Sequence, residues 1–237
     1  MTLWHVDDGN YRHAYEEAIN NVPALLKMSI PVSTPELVST SAAYEASDSR
    51  LLVIGQETAG NGRQIHENCA YDTSAEALGH YIRFDMSIGT KVSGSPFWRA
   101  YRESCDAFSL PARGAAWANI AAVQRTDDKG TALVSLSEEE QRVVADWQRP
   151  MIRAMLRFVK PLRILALTGP NYDWLLTSMI PDLTLHPVAG TDTRKLAFGH
   201  STSFGFTLAR TYHPGYLARD PDGQRWSLLK KAIDALS

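Results

Sequence analysis

Four short apolar runs, each about the length of a strand, constrain the fold of this chain more than any other feature. They are residues 51–54, 117–123, 164–167 and 206–209. Between them the sequence changes to helical patterns, in which apolar residues recur every three or four positions. Strands that alternate with helices are joined by right-handed crossovers and lie parallel in one sheet. The pattern therefore predicts a three-layer α/β architecture in which the four runs are parallel neighbours.

Two helices have clear signals at their first turns. Ser95 and Pro96 open one helical segment, and proline is suited to a first turn because it has no N–H to satisfy there. Ser137 and Glu140 form a capping-box pattern ahead of a long apolar stripe. Pro150 lies inside that stripe and should kink or split the helix.

Size and charge place the chain among soluble globular proteins. Its 237 residues can bury one sizeable core, so we expect a single domain over residues 1–237. The net charge of −2 gives no overall basic field, and a polyanion would have to meet a local patch. No apolar run approaches the ~18 residues of a membrane span, and the first ten residues lack the apolar stretch of a signal peptide. These features predict a cytoplasmic protein with no membrane partner.

Several kinds of catalytic centre lack the residues that they require. Cys69 and Cys105 are too few for a disulfide framework or for a four-cysteine metal or iron–sulfur site. There is no HxxxH string or carboxylate cluster with ligand spacing, which argues against a metal centre. A serine on a G-x-S-x-G elbow and a phosphate-binding P-loop are both missing. We therefore expect a reaction without a metal or an organic cofactor.

Polar residues follow the first, third and fourth apolar runs, and Asn119 lies within the second. Ligands bind at the carboxyl ends of the strands in a parallel sheet. The four groups are Gly55-Gln56-Glu57, Asn119, Thr168-Gly169-Pro170-Asn171 and Thr211-Tyr212-His213. One rim would thus hold a carboxylate and a histidine on separate strands, with an amide between them. That set suits cleavage of a bond whose transition state separates charge. The carboxylate would face a developing cation or orient water, and the histidine would donate a hydrogen bond to a departing anion.

Three strings resemble the motifs of the uracil-DNA glycosylase superfamily. They are GQETAG at 55–60, WANIAAV at 117–123 and HPGYLAR at 213–219, where the family often has G-Q-D-P first and H-P-S-P-L last. The resemblance covers residues 50–220 approximately. It implies a four-stranded parallel sheet flanked by helices, with DNA as the partner and no obligate protein partner. It also implies hydrolysis of the N-glycosidic bond of uracil or another deaminated base, held extrahelically in a pocket during base excision repair.

The resemblance implies roles for single residues of the rim. Glu57 would orient the water or stabilise the oxocarbenium-like sugar. His213, neutral and donating, would stabilise the negative charge on the leaving base. Gly55 and Gln56 would lie at the substrate beside the sugar, and Asn119 would select the edge of the base through its paired donor and acceptor.

Further contacts with DNA are expected from aromatic, leucine and arginine side chains. A ring should stack on the flipped base, and Phe97 is preferred over Tyr81 and Phe84 because the preceding Gly-Ser-Pro would hold it near the rim. Leu217 matches the leucine that enters the duplex in the family. The candidate phosphate contacts are Arg219, Arg210 and Arg63.

The chain departs from the family pattern at several positions. Glu57 stands where Asp or Asn is more familiar, and Thr58 replaces the usual proline. Gly215 and Tyr216 replace Ser-Pro in the last motif, which removes a hydroxyl that would contact phosphate. These departures keep three alternatives open: a non-catalytic DNA- or nucleotide-binding module of the same fold, a glycosylase for another modified base such as hypoxanthine or xanthine, and some other α/β hydrolase.

The same residues also have structural explanations. Glu57 could cap the turn after its strand, Asn119 could bridge two strands, and Leu217 could pack beneath its own loop. His186-Pro187 repeats the His-Pro dipeptide without the residues that follow it at 213, and we expect it to be an ordinary loop. Arg194-Lys195 is expected at a solvated hairpin.

Overall fold

The computed structural model describes residues 4–5, 9–21, 25, 32–35, 37–57, 77–78, 81–82, 94–111, 113–126 and 133–237. Thr58, Arg63 and Phe84, to which the sequence assigns positions in the site, lie outside these residues. The strands and helices of the described chain, in order, are β1 (Trp4–His5), α1 (Gly9–Asn20), β2 (Thr40–Ser41), α2 (Ala42–Glu45), β3 (Leu51–Gly55), α3 (Pro96–Ala107), β4 (Ala116–Asn119), α4 (Glu138–Val159), β5 (Arg163–Ala166), α5 (Asp173–Met179), β6 (His186–Pro187), β7 (Leu196–Ser201), β8 (Phe206–Thr211), α6 (Pro214–Leu217) and α7 (Ser227–Asp234).

In the part of the chain that the structure describes, the main sheet is mixed and contains six strands in the order β4-β3-β5-β8-β7-β6. The four apolar runs form β4, β3, β5 and β8, and these are parallel neighbours as predicted. The prediction of a sheet with only four strands is wrong, because β7 pairs antiparallel with β8 and β6 pairs antiparallel with β7. The α/β class is confirmed.

The two added strands lack the continuous apolar signal of the inner strands. All five residues of β3 are buried, as expected for a parallel strand covered on both faces. In β7 buried residues are interrupted by exposed or half-buried ones, and both residues of β6 are exposed. His186-Pro187 is therefore an edge strand and not the loop that we expected. An edge strand is one of the few positions in a sheet where proline is tolerated.

The β4 strand is shorter than its apolar run. It ends at Asn119, whereas the sequence predicts a strand that continues to residue 123. Beyond Asn119, the buried side-chain amide of Gln148, on α4, pairs with backbone groups of the chain. The Ala122 N–H donates to Gln148 Oε1 at 2.7 Å, and Gln148 Nε2 donates to the Ile120 carbonyl at 3.3 Å. As a result, Asn119 stands at the carboxyl end of a strand and not inside one.

Helices cover both faces of the sheet. The crossover from β3 to β4 contains α3, and the crossover from β4 to β5 contains α4. These two connections run in opposite directions across the sheet. Because crossovers between parallel strands are right-handed as a rule, we expect their helices to lie on opposite faces. On one side α4 contacts α1 and α5, and on the other α3 contacts α6 and α7.

The helix starts follow the sequence signals. Ser95 Oγ accepts from the Trp98 N–H at 3.4 Å, with Pro96 in the first turn of α3. Ser137 and Glu140 form the predicted capping box of α4. Pro150 lies within α4, which is one continuous helix, so the proline does not split it. None of the helices in the described chain is long and apolar enough to cross a membrane.

Candidate active site

The carboxyl ends of four parallel strands align along one edge of the sheet. Gly55 on β3 is opposite Asn119 on β4, and Ala166 on β5 is opposite both Ile54 and Arg210. Neighbouring strands lie about 4.8 Å apart, so the ends of β3 and β8 are separated by about 10 Å. This gap leaves room for a planar ring between groups that follow β3 and β8. The strand that separates them is β5, and Asn119 lies on the far side of β3, so the expectation of an amide between carboxylate and histidine is wrong.

Gly55 lies directly beneath Asn119 and Phe97. A methyl group on the Gly55 Cα would come within 2.5 Å of Asn119 Oδ1 and 3.1 Å of Phe97 Cε2. Glycine is therefore required at this position for the amide and the ring to approach the backbone so closely. The side chain of Asn119 is half-buried and makes no hydrogen bond to any described residue, which leaves its donor and acceptor available.

Phe97 packs against a cluster of aromatic side chains. Phe97 is half-buried and meets Trp98 edge to face, with ring centroids 5.1 Å apart. Trp98 in turn contacts Trp117 at 5.4 Å, and Tyr81 stacks on Trp117 at 5.4 Å. The Tyr81 side chain is 1% exposed and its hydroxyl donates to the Trp117 carbonyl, so it is a core residue and not a stacking surface.

Gln56 cross-links two strand ends. The side-chain Nε2 of Gln56 donates to the Thr168 carbonyl at 2.6 Å, and the backbone carbonyl of Gln56 accepts from the Ala121 N–H at 2.9 Å. Gly169, which follows Thr168, has a φ of +73°. This conformation favours glycine and turns the chain toward residues 170–172. The side-chain amide of Gln56 thus holds the edge together, which is a structural role that the sequence did not predict for it.

Glu57 is half-buried and is hydrogen-bonded by Tyr172, whose hydroxyl donates to Glu57 Oε2. Burial raises the pKa of Glu57 to about 7, against the opposing effect of hydrogen bonds from Tyr172 and from the Leu133 backbone N–H. The carboxyl group is therefore partly ionised at neutral pH, which is the range in which a general base works best.

His213 is held in one tautomer at the start of α6. Its Nδ1 accepts from the Gly215 N–H at 3.1 Å, so a neutral imidazole carries its proton on Nε2 and donates from there. Burial lowers the pKa of His213, and the positive charge of Arg219 lowers it further, which keeps the ring neutral at pH 7. A methyl group at Gly215 would lie 3.1 Å from His213 Nδ1. Glycine in place of the family's serine at this position therefore lets the His213 ring approach the Gly215 N–H closely.

Leu217 does not have the position that the family resemblance implies. It is 1% exposed and packs into the core beneath its own helical turn, together with Pro214. Residues three apart on a helix share a face, which buries 214 and 217 and turns residue 216 outward. Tyr216 is 42% exposed, and its ring lies 4.7 Å from that of Tyr212. The departure from the family pattern at 216 is the sequence signal for this residue.

The two described arginines among the candidate phosphate contacts have different positions. Arg219 is exposed and close enough to His213 to act on its charge. Arg210 is 0% exposed, with its Nε 2.8 Å from Asp173 Oδ1, so its assignment as a phosphate contact is wrong. An inward-facing arginine on a central strand must be paired, and this one is.

Comparisons with known proteins find a similar solved structure and no matching family model or curated sequence. No protein-family model and no curated protein sequence matches this chain. Among solved structures, wild-type SMUG2 of Pedobacter heparinus is similar, with a TM-score of 0.47 and 12% sequence identity over 93% of this chain and 96% of that one. Within the described residues there is no group of three or more His, Cys, Asp or Glu that could hold a metal ion.

Gly55→Ala should displace the amide of Asn119, because the new methyl group overlaps its oxygen. We expect the free energy of unfolding to fall by about 1 kcal/mol, since crowding of this kind is partly relieved by rotation of the amide. The side-chain NH₂ resonances of Asn119 should shift at the same time. Gly94→Ala is the matched control, because a methyl group there meets nothing within 4 Å. Unchanged Asn119 resonances in Gly55→Ala would contradict the packing described.

The pKa of Glu57 predicts a pH-dependent effect on stability. The folded-state pKa of about 7 exceeds the ordinary value of 4.5, so the folded chain holds this proton more tightly. The resulting stabilisation is fully present below about pH 4.5 and is lost as the pH rises through about 7. Glu57→Gln is neutral throughout, and its free energy of unfolding should equal that of the wild type near pH 4.5 and exceed it at pH 8 by about 3 kcal/mol. Urea denaturation at both pH values measures this.

Asp222→Asn is the control for this titration, because that carboxylate is exposed in a turn outside the helices and strands. A Glu57→Gln difference that is the same at pH 4.5 and pH 8 would show that the carboxyl is not buried as described.

Proposed function

We propose that this protein is a DNA glycosylase that hydrolyses the N-glycosidic bond of uracil or a related deaminated base. The observation that carries the proposal is the tautomer of His213. Its Nδ1 is occupied by the Gly215 N–H, so the neutral ring presents an Nε2–H donor two strands away from the Glu57 carboxyl. A fixed neutral donor opposite a partly ionised carboxylate suits a bond that breaks into an anion and a cation.

The base side of the site consists of Phe97, Asn119 and His213. The Phe97 ring offers a face on which a base can stack, and stacking contributes about 1–3 kcal/mol per base. The amide of Asn119, with which no described residue pairs, offers one donor and one acceptor, which matches the adjacent carbonyl and N–H of a uracil-like edge. As the C1′–N bond breaks, its electron pair moves to the base, and His213 Nε2–H stabilises the resulting anion.

The sugar side of the site is Glu57. Its carboxylate orients a water whose oxygen bonds to C1′ of the oxocarbenium-like sugar, and it accepts the proton that this water releases. Tyr216 of α6 and Arg219, two residues beyond the end of α6, are exposed and lie close to His213 along the chain, so they are the groups here that would reach DNA. Guanidinium and aromatic groups together are typical of surfaces that follow a nucleic-acid strand.

A non-catalytic DNA-binding module is the second candidate, and one observation favours it. The Glu57 carboxyl already has a hydrogen-bond donor in Tyr172, as a merely structural carboxyl would. The two candidates differ in turnover. The deciding experiment is incubation with labelled oligonucleotides that carry uracil, hypoxanthine, xanthine or other modified bases, followed by detection of abasic sites.

Glu57→Gln and His213→Ala should each lower single-turnover excision by a factor on the order of 10²–10⁴, the range for acid–base and charge-stabilising groups. Binding of abasic-site DNA should change by less than about tenfold, because both groups act mainly in the transition state. His200→Ala, at an exposed histidine of β7, is the matched control and should leave excision unchanged. Wild-type protein that binds DNA and releases no base from the panel would leave the binding module as the better account.

Tyr216, and not Leu217, should be the side chain of α6 that stacks against the DNA. Loss of one stacking contact predicts that Tyr216→Ala weakens binding of abasic-site duplex by roughly tenfold, while Tyr216→Phe keeps it. Fluorescence anisotropy measures both affinities. Leu162→Ala is the control, because Leu162 is the other large apolar side chain that is exposed in the described chain, at 44%, and it precedes β5 at the opposite edge of the sheet. An unchanged affinity in Tyr216→Ala would show that Tyr216 does not stack against the DNA.

A further inference from the structure

Tyr172 is a buried residue at the third strand end, and it contacts the carboxyl group that the proposed reaction uses. It is 1% exposed and its hydroxyl donates to Glu57 Oε2. The two residues are 115 positions apart in sequence, so the contact exists only in the folded chain. The backbone N–H groups of Leu133 and Val134 also act on this pair.

The backbone around Tyr172 is fixed from two sides. The positive φ of Gly169 starts the turn, and the Tyr172 N–H closes it on the Gly169 carbonyl at 3.3 Å. The next residue, Asp173, meets the fully buried Arg210 of β8, whose terminal nitrogen donates to Asp173 Oδ2 at 2.9 Å. Arg210 also donates to the carbonyls of residues 193 and 194. The position of the Tyr172 hydroxyl is therefore set by β5 and β8 together.

The stability of the fold does not by itself account for the choice of a carboxylate, Glu57, as the partner of Tyr172. Other buried tyrosines of this chain donate to neutral carbonyls: Tyr15 to Pro35 at 3.0 Å and Tyr101 to Ala115 at 2.8 Å. Burying an ionisable carboxyl beside Tyr172 costs free energy that a carbonyl or an apolar side chain would not. The carboxyl lies at the strand edge where ligands bind in this architecture.

We propose that Tyr172 is a positioning residue that holds Glu57 in the orientation and charge state needed to receive a proton from water. The inference deepens the proposed function and rests on it. The hydroxyl occupies one acceptor site of the carboxylate and fixes its plane, and the carboxylate has further lone pairs with which to accept from water. A donated hydrogen bond also stabilises the ionised form relative to the protonated one, and only the ionised form accepts the proton.

Few other groups titrate around this pair. Among the described residues, the groups that act on Glu57 are the Tyr172 hydroxyl and the Leu133 N–H, both uncharged. Burial raises the pKa of Tyr172 well above its ordinary value, and the nearby Glu57 charge raises it further, so the phenol stays protonated. Asp173 is adjacent and is paired with Arg210. His213 is already neutral above pH 7, so a change in rate between pH 7 and pH 9 reports on Glu57.

Tyr172→Phe tests the inference, because it removes one oxygen and keeps the ring. The pKa of Glu57 should rise, and the ascending limb of the pH–rate profile should move to higher pH. We expect single-turnover excision to be about five- to tenfold slower than the wild type at pH 7, narrowing to about twofold at pH 9. Affinity for abasic-site DNA should stay within about twofold. Tyr15→Phe, which also loses a buried hydroxyl, should keep the wild-type profile.

A titration without substrate separates this inference from the proposed function. The Glu57 carboxyl carbon, assigned by its loss in Glu57→Gln, can be followed by NMR in wild type and Tyr172→Phe. A higher midpoint in Tyr172→Phe supports the inference, and in the Glu57→Gln background Tyr172→Phe should then have no further effect on the profile. An equal midpoint in both proteins, or a loss of rate that is uniform from pH 7 to pH 9, overturns it. Failure of the proposed function shows separately, as wild-type protein that releases no base.

Discussion

The pairing of β3 with a parallel strand on each side is the constraint on which the site depends. Because β4 and β5 both run parallel to β3, their carboxyl ends reach the same edge, and β8 joins them through β5. The edge is locked by a few polar contacts, above all the bond from Gln56 Nε2 to the Thr168 carbonyl. Groups distant in sequence thereby share one surface. A slip of one residue in the β3–β4 register would turn Asn119 to the opposite face and away from Phe97.

Glycine and burial together determine the chemistry available at this edge. The missing side chains at Gly55 and Gly215 let polar groups approach the backbone, one an amide and the other an imidazole. Burial then acts in opposite directions on the two ionisable residues, raising the pKa of Glu57 and lowering that of His213. Both shifts favour the neutral form, because a low-dielectric environment penalises charge of either sign. Hydrogen bonds from Tyr172 and the Leu133 backbone oppose this effect at Glu57.

The sequence predicts the four inner parallel strands, and it does not predict the two strands β6 and β7. The inner strands are covered on both faces and are therefore continuously apolar, which a sequence shows plainly. By contrast, β6 and β7 alternate between buried and exposed residues, and β6 consists of a histidine and a proline. Leu217 and Arg210 were misplaced for a related reason. A motif gives the type of residue at a position, whereas the side of a helical turn or strand that faces the core depends on what packs against it.

The sequence by itself determined the α/β class, the order of the parallel strands' carboxyl ends along the chain, and the residue types at those ends. These follow from hydrophobic periodicity and from short motifs, which are local properties. Only the tertiary structure decided which of those residues meet. It set Asn119 and Phe97 over Gly55, fixed the tautomer of His213, exposed Tyr216 in place of Leu217, and brought Tyr172 to Glu57. Each of these depends on strand order, register or burial, and such long-range relations leave no periodic trace in the chain.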